Sequence, residues 1–254
     1  MNITERINKL VSRNTNGPTK ENYKGTTEQN ALEMFSNIYG LDDLKVNIYR
    51  AVVSEESLNM LLVGPPATSK TLFVSTIQER CNNTFYFDAS NTTGAGLIEQ
   101  LYQHRTTKMI IIDEIDKLKK NDQNVLLGLL NNGRVDKDLK SGSYHFEMPN
   151  LKVFATSNSL KNLSKPLRSR FQEYNLPAYS DSEFVEVVKF CLNEKFTAET
   201  ATLIAQALLK AGKKDARAAI TISKQVLKND TLEDIVKIIE TYVKYASNES
   251  IDYN

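Results

Sequence analysis

Residues 64–71 read Gly64-Pro65-Pro66-Ala67-Thr68-Ser69-Lys70-Thr71, directly behind the apolar run Asn59-Met60-Leu61-Leu62-Val63. A buried strand, a glycine, a tight loop and then Lys-Thr opening a helix describe a phosphate-binding loop. Backbone N–H groups at such a helix start wrap phosphates, and the helix dipole favours their negative charge. In that chemistry Lys70 reaches the β- and γ-phosphates of a nucleotide, and the Thr71 hydroxyl binds Mg²⁺. The expected nucleotide contacts run from Gly64 through Thr71 to Leu72. The segment departs from the pattern G-x-x-x-x-G-K-[ST] at Ser69, where the second glycine belongs, and at Ala67, where glycine is common. A Cβ at a position that favours positive φ costs roughly 1 kcal/mol, which nucleotide binding can offset.

A second group lies downstream. Met109-Ile110-Ile111-Ile112-Asp113-Glu114-Ile115-Asp116 is an apolar run that ends in carboxylates. Ligands of open parallel sheets sit at the carboxyl ends of the strands, so these acids are expected to project towards the phosphate loop. Asp113 is the residue to hold Mg²⁺, directly or through water. Glu114 is the residue to orient or deprotonate an attacking water. Each segment alone also fits a plain structural role, a chance turn before an amphipathic helix in one case and a solvated acidic turn in the other. Together, in one chain of alternating strands and helices, they point to a nucleotide site with ATP and Mg²⁺ as its cofactors.

The elements that must position these groups can be read from periodicity. Helices are expected at Thr27–Ile38 and Asp42–Ser54, with Gly40 capping a turn at Tyr39-Gly40-Leu41. Strands are expected at Asn59–Val63, Thr84–Ala89, Lys108–Asp113 and Leu151–Thr156. Helices at Lys70–Arg80, Gly96–His104, Asn121–Asn132 and Lys165–Arg170 alternate with them, and a loop at Thr92–Gly96 precedes the second. Near-continuous apolar strands alternating with helices imply a parallel sheet covered on both faces. Between Gly133 and Asn150 the pattern switches to a β-hairpin with a Ser-Gly turn. From Asp181 onward strands disappear and helices are expected at 181–194, 197–211, 215–228 and 231–246. Ser180 with Glu183, and Thr231 with Asp234, resemble capping signals. The expected organisation is an N-terminal arm over 1–26, poor in periodicity, an α/β P-loop domain over 27–179, and a small all-α domain over 180–254.

Bulk properties narrow the function classes. The formal net charge of +1 gives no bulk attraction to nucleic acid, so any DNA contact must come from a local patch. The longest apolar runs, Met60–Val63 and Met109–Ile112, are far too short to span a bilayer. Met1–Arg6 lacks the apolar core of a secretory signal, so a cytoplasmic location without membrane contact is expected. Cys81 and Cys191 read as reduced, mostly buried residues, and the isolated His104 and His145 suggest no zinc site.

With both motifs located, the chain resembles the AAA+ ATPases from about Thr27 to about Tyr245. In that family a polar residue ends the next sheet strand. Here Val153-Phe154-Ala155-Thr156-Ser157-Asn158 offers Asn158, which the resemblance implies helps position the lytic water. Pro166-Leu167-Arg168-Ser169-Arg170-Phe171 looks like the arginine-finger segment, with Arg170 as the finger and Arg168 as the fallback. Such a finger reaches the γ-phosphate held by a neighbouring copy and stabilises transition-state charge. Lys214-Asp215-Ala216-Arg217-Ala218-Ala219 looks like the family's sensor 2 segment, which implies that Arg217 touches the γ-phosphate from a helical lid. The turn at Tyr39, Gly40 and Leu41 falls where the family cradles adenine. Asp88, Ser90 or Asn91 falls where a residue can restrain Glu114. An in-trans finger implies a homo-oligomer, a hexameric ring in this family.

The hairpin before the Asn158 strand is similar to the clade that includes RuvB-type branch-migration motors, MCM helicases and MoxR-type remodellers. Residues 131–171 are most similar to RuvB-type proteins. Two features depart from that pattern: nothing follows the helical bundle to form a winged helix, and the strand end reads Thr-Ser-Asn. The resemblance implies DNA as one partner, touched through Lys137 and Lys140 of the 134–148 hairpin by salt-dependent phosphate contacts. The alternative is a protein substrate, as for a MoxR-type remodeller. The expected pore loop, Thr92–Leu97, carries glycines but no aromatic residue, which weighs against protein threading.

Overall fold

The structure, a computed structural model, describes residues 25–246. Most of the arm expected over 1–26 lies outside the described residues. The strands are β1 (Leu58–Val63), β2 (Thr84–Asp88), β3 (Met109–Asp113), β4 (Arg134–Leu139), β5 (Gly142–Glu147), β6 (Lys152–Ser157) and β7 (Gln172–Asn175). The helices are α1 (Thr27–Met34), α2 (Asp42–Val53), α3 (Lys70–Arg80), α4 (Gly94–Gln103), α5 (Lys120–Asn132), α6 (Lys165–Arg168), α7 (Asp181–Leu192), α8 (Ala198–Lys210), α9 (Ala216–Gln225) and α10 (Leu232–Ala246). Between Pro177 and Ala178 the chain divides into two compact units.

In the first unit, five of the described strands form one parallel sheet in the order β2-β3-β6-β1-β7. The strands are apolar on both sides because both sides are covered. Leu61, Val63, Ile110, Ile112, Val153 and Ala155 join one core with residues of α4, α5 and the β4–β5 hairpin. Their alternates Met60, Leu62, Met109, Ile111 and Phe154 join another with residues of α1, α2 and α3. Period-2 side-chain alternation thus splits each strand between two cores. Phe35 and Phe73 meet edge to face at 5.2 Å and tie the segment after α1 to α3.

The register sets where the acids end. β3 pairs with β6 through Ile112↔Ala155, and β1 pairs with β6 through Val63↔Ser157. The Gly64 N–H donates to the Ser157 carbonyl at 3.1 Å, so the phosphate loop opens one residue from Asn158. A Cβ on Gly64 would lie 2.3 Å from the Leu176 carbonyl oxygen. Only glycine fits between β1 and the chain leaving β7.

Several expected boundaries shift. Helix α1 ends at Met34 rather than Ile38: the Phe35 N–H returns to Ala31, and irregular turns run on to Ile38. Gly40 therefore caps no helix, although it does take φ +60°. The loop expected at Thr92–Gly96 is helical from Gly94, with the Thr93 hydroxyl capping the Gly96 N–H at 3.2 Å. Leu97 is fully buried and Gly94 packs on Asp122, so Thr92–Leu97 is not a free loop. Helix α6 stops at Arg168, and the polar strand β7 follows it. Strand β7 has no apolar alternation to announce it, because it lies at the sheet edge and is only four residues long.

The β4–β5 hairpin is antiparallel, with Leu139↔Gly142 closing the loop at Lys140-Ser141. Gly133 ends α5 at φ +72° and receives the Met148 N–H on its carbonyl at 2.8 Å. Tyr102 of α4 meets Tyr144 at 5.4 Å and Phe146 at 5.7 Å, both edge to face. In the second unit α7–α10 pack around Phe184, Val188, Ile204, Leu208 and Ile222. Ser180 and Glu183 form a reciprocal capping box. Thr231 and Asp234 exchange equivalent bonds.

Candidate active site

The phosphate loop bends back on itself through its own lysine. Lys70 is buried, and its Nζ donates to the Gly64 and Pro65 carbonyls, each at 2.7 Å, and to the Thr68 hydroxyl at 3.3 Å. Thr68 Oγ1 donates in turn to the Pro65 carbonyl at 2.8 Å. Ala67 and Ser69 both take φ +64°, the left-handed conformation that the missing glycines would have adopted without strain. Ser69 is the N-cap of α3, and its side chain makes no capping bond there. Thr71 and Leu72 are exposed beside it. Pro66 sits between the Lys70 anchors and the strained Ala67, fixing φ where the loop turns.

The acidic end of β3 is held from both neighbouring strands. Asp113 is buried. Its Oδ1 accepts a very short bond from the Thr156 hydroxyl of β6. Its Oδ2 accepts from the Tyr86 hydroxyl of β2 at 3.2 Å. Burial, followed by the Asp113 charge, pushes the Tyr86 phenol up to about 12, so it stays a donor. Glu114 takes a left-handed backbone, φ 54° and ψ 45°, an uncommon state for a residue with a Cβ. Its N–H donates to Thr156 Oγ1 at 3.0 Å. Its Oε1 accepts from Asn158 Nδ2 at 3.1 Å, and the Asn158 N–H donates to Asp116 Oδ1 at 3.1 Å. Residues at alternate positions of one strand end, Thr156 and Asn158, therefore each engage two acids of the next.

Asp88, Ser90 and Asn91 close on one another instead. Asp88 accepts from the Ser90 N–H at 2.8 Å and from Asn91 Nδ2 at 3.1 Å, while Glu114 is bonded by Asn158. The two arginines after β6 differ. Arg168 makes a two-point pair with Glu173, at 2.8 and 3.0 Å. Arg170 bonds carbonyls, Leu127 at 3.1 Å and Pro166 at 2.5 Å, and lines a cleft of about 320 Å³ with Arg134, Lys137 and Asn131. Tyr39 is exposed at the start of the turn, and Gly40 and Leu41 carry it through left-handed backbone, at φ 60° and 57°, into α2. Within the helical unit, Arg217 is largely exposed and pairs with the N-cap residue Asp215 at 2.7–3.0 Å.

The donor set fits the groups expected there. A helix start, a lysine bonded to loop carbonyls, a threonine hydroxyl and an anchored carboxylate offer what a triphosphate and a hard, oxygen-seeking cation require. Sequence reasoning missed Tyr86 and Thr156. Thr156 sits two residues before Asn158 and was visible as a polar residue ending a core strand. Tyr86 carried no signal of its own.

Some of the hairpin's outward polar groups meet within it. Arg134 pairs with Glu147 at 2.6 Å, and His145 lies 3.2 Å from Asp136 and 3.7 Å from Asp138. Lys137 and Lys140 are exposed. No helix of the described residues is long and apolar enough to cross a membrane.

Residues 60–179 match the ATPase family associated with various cellular activities (AAA). That segment is therefore similar to an AAA ATPase domain. Among curated proteins it is 26% identical over 193 residues to a Lon protease of Borrelia duttonii, covering 63% of this chain and 23% of that protein. It is 28% identical over 159 residues to the Holliday junction branch migration complex subunit RuvB of Leuconostoc mesenteroides, covering 58% of this chain and 44% of that protein. The chain spans about a quarter of the length of the Lon protease and less than half of that RuvB. A solved structure of a Thermotoga maritima RuvB mutant shares the fold, with TM-score 0.63 and 20% identity, over 82% of this chain and 72% of that one.

Proposed function

We propose, from the match of residues 60–179 to the AAA ATPase family, that this chain is a Mg²⁺-dependent ATPase that works as an oligomer and couples hydrolysis to remodelling DNA. The observation that carries the ATPase reading is the bond from Asn158 to Glu114, one residue past the buried Asp113. A carboxylate oriented by an amide donor is placed to act as a base towards water. Lys70 would exchange the Gly64 and Pro65 carbonyls for phosphate oxygens. Thr71 and Asp113 would hold the metal, which supplies charge neutralisation on the phosphates. Arg170, whose guanidinium bonds carbonyls and meets no carboxylate among the described residues, is the better finger towards a neighbouring copy. Arg168 is neutralised by Glu173. The adenine would lie against Tyr39, Gly40 and Leu41. A finger acting in trans requires an oligomer, and the form proposed is a hexameric ring.

DNA as the substrate is supported by the RuvB likeness and by the exposed Lys137 and Lys140. A second reading, ATP-driven remodelling of protein, is favoured by the Lon relatives and by the pairing of Arg134 with Glu147 in the hairpin. The deciding experiment is ATPase rate for the native chain and Glu114→Gln, without DNA and with single-stranded, duplex and four-way-junction DNA. Stimulation by one DNA form, lost in Lys140→Glu, is expected. Turnover indifferent to every DNA form would replace DNA with protein, and no turnover at any protein concentration would reject the ATPase reading.

A further inference from the structure

Tyr86 stands outside every motif discussed above. It lies on β2, the edge strand beside β3, and pairs in register with Ile111, as Asp88 pairs with Asp113. Two residues of offset place Tyr86 and Asp113 on the same face as diagonal neighbours, a separation that a long aromatic side chain spans. Its hydroxyl reaches Asp113 Oδ2 at 3.2 Å while Thr156 holds Oδ1. Thr156 alone would leave the carboxylate free to pivot about that bond. A second donor on the other oxygen fixes the plane, and each oxygen retains a lone pair.

We propose that Tyr86 is a positioning residue for Mg²⁺ binding: from the edge strand it presets the Asp113 carboxylate that meets the metal of a bound nucleotide. The inference rests on Asp113 as the metal-holding acid of the proposed ATPase. Mg²⁺ requires near-ideal octahedral geometry, whereas Ca²⁺ accepts irregular shells. A residue that fixes ligand orientation should therefore matter more for Mg²⁺ than for Ca²⁺. Groups that orient metal ligands commonly change metal affinity by about 10-fold or more when removed.

The test is binding of a fluorescent ADP analogue to the full chain, titrated with MgCl₂ or CaCl₂ and referenced to binding in EDTA. Tyr86→Phe keeps the ring and loses one oxygen. It is expected to raise the Mg²⁺ half-saturation about 10-fold, to raise that for Ca²⁺ less, and to leave affinity in EDTA and the melting temperature unchanged. Thr156→Val should act in the same direction, and Thr156→Ser, which keeps the hydroxyl, should behave as the native chain. An unchanged Mg²⁺ half-saturation in Tyr86→Phe overturns the proposal. An equal loss of affinity with and without metal also overturns it, leaving a packing role. Nucleotide binding by the native chain that ignores Mg²⁺ would instead sink the assignment of Asp113, and this inference with it.

Discussion

Asn158 holds Glu114. Its Nδ2 donates to Glu114 Oε1 at 3.1 Å, and its own N–H is anchored on Asp116 at 3.1 Å. The amide that should position a water is thus also the group that steers the carboxylate. Asn158→Ala is expected to lower kcat about 100-fold, the lower end of what a positioned acid–base group supplies, with nucleotide affinity nearly unchanged. Asn158→Asp should be worse, because it sets a second negative charge against Glu114. Steady-state ATPase assays beside equilibrium nucleotide binding separate the two parameters, and a kcat equal to native in Asn158→Ala would remove Asn158 from the site.

The strained loop predicts a gain. Ala67 and Ser69 sit at φ +64°, which costs a side-chain residue about 1 kcal/mol. Glycine removes that strain but adds unfolded-state entropy. Ser69→Gly should therefore stabilise the chain by about 0.5 kcal/mol, seen as a rise in the urea midpoint at constant slope. Gly64→Ala should do the opposite, since its Cβ would meet the Leu176 carbonyl at 2.3 Å. A native-like Gly64→Ala would show that the loop is not built as described.

The contrast between Arg168 and Arg170 separates stability from turnover. Arg168 is tied to Glu173 at two points, so Arg168→Ala should lower the melting temperature. Arg170→Ala should keep ATP binding and lose about 10³-fold or more in turnover. If the finger acts in trans, mixing Arg170→Ala with Lys70→Ala, each inactive alone, restores activity at a fraction of native subunit interfaces. Mixtures that stay inactive at every ratio would argue for a finger acting within one copy, or for no finger.

Acid should weaken the helical unit through its caps. The Ser180 hydroxyl bond holds the Glu183 carboxyl below its usual range, and Thr231 does the same for Asp234. Depressed folded values mean that this stabilisation is complete above the ordinary carboxylate values of about 4 and is lost as pH falls through the folded ones. Urea unfolding followed by circular dichroism at neutral and acid pH should show a shallower acid loss in the Ser180→Ala, Thr231→Ala double variant. A slope as steep as the native one would assign the acid sensitivity elsewhere.

The sequence by itself determined what is local. The strand, loop and helix from Asn59 to Arg80 follow from an apolar run, a turn and an amphipathic stretch, and α3 begins and ends at the expected residues. The acids after Ile112 and the hairpin around Lys140 were legible for the same reason, since each depends on neighbours a few positions away. Tertiary structure alone decided which residues grip the acids. Tyr86 meets Asp113, and Asn158 rather than Asn91 meets Glu114, because the order β2-β3-β6 lays distant segments side by side. It also decided that Gly94 begins a helix, and that polar Gln172–Asn175 completes the sheet, since an edge strand draws its stability from backbone pairing with β1 and carries no pattern of its own.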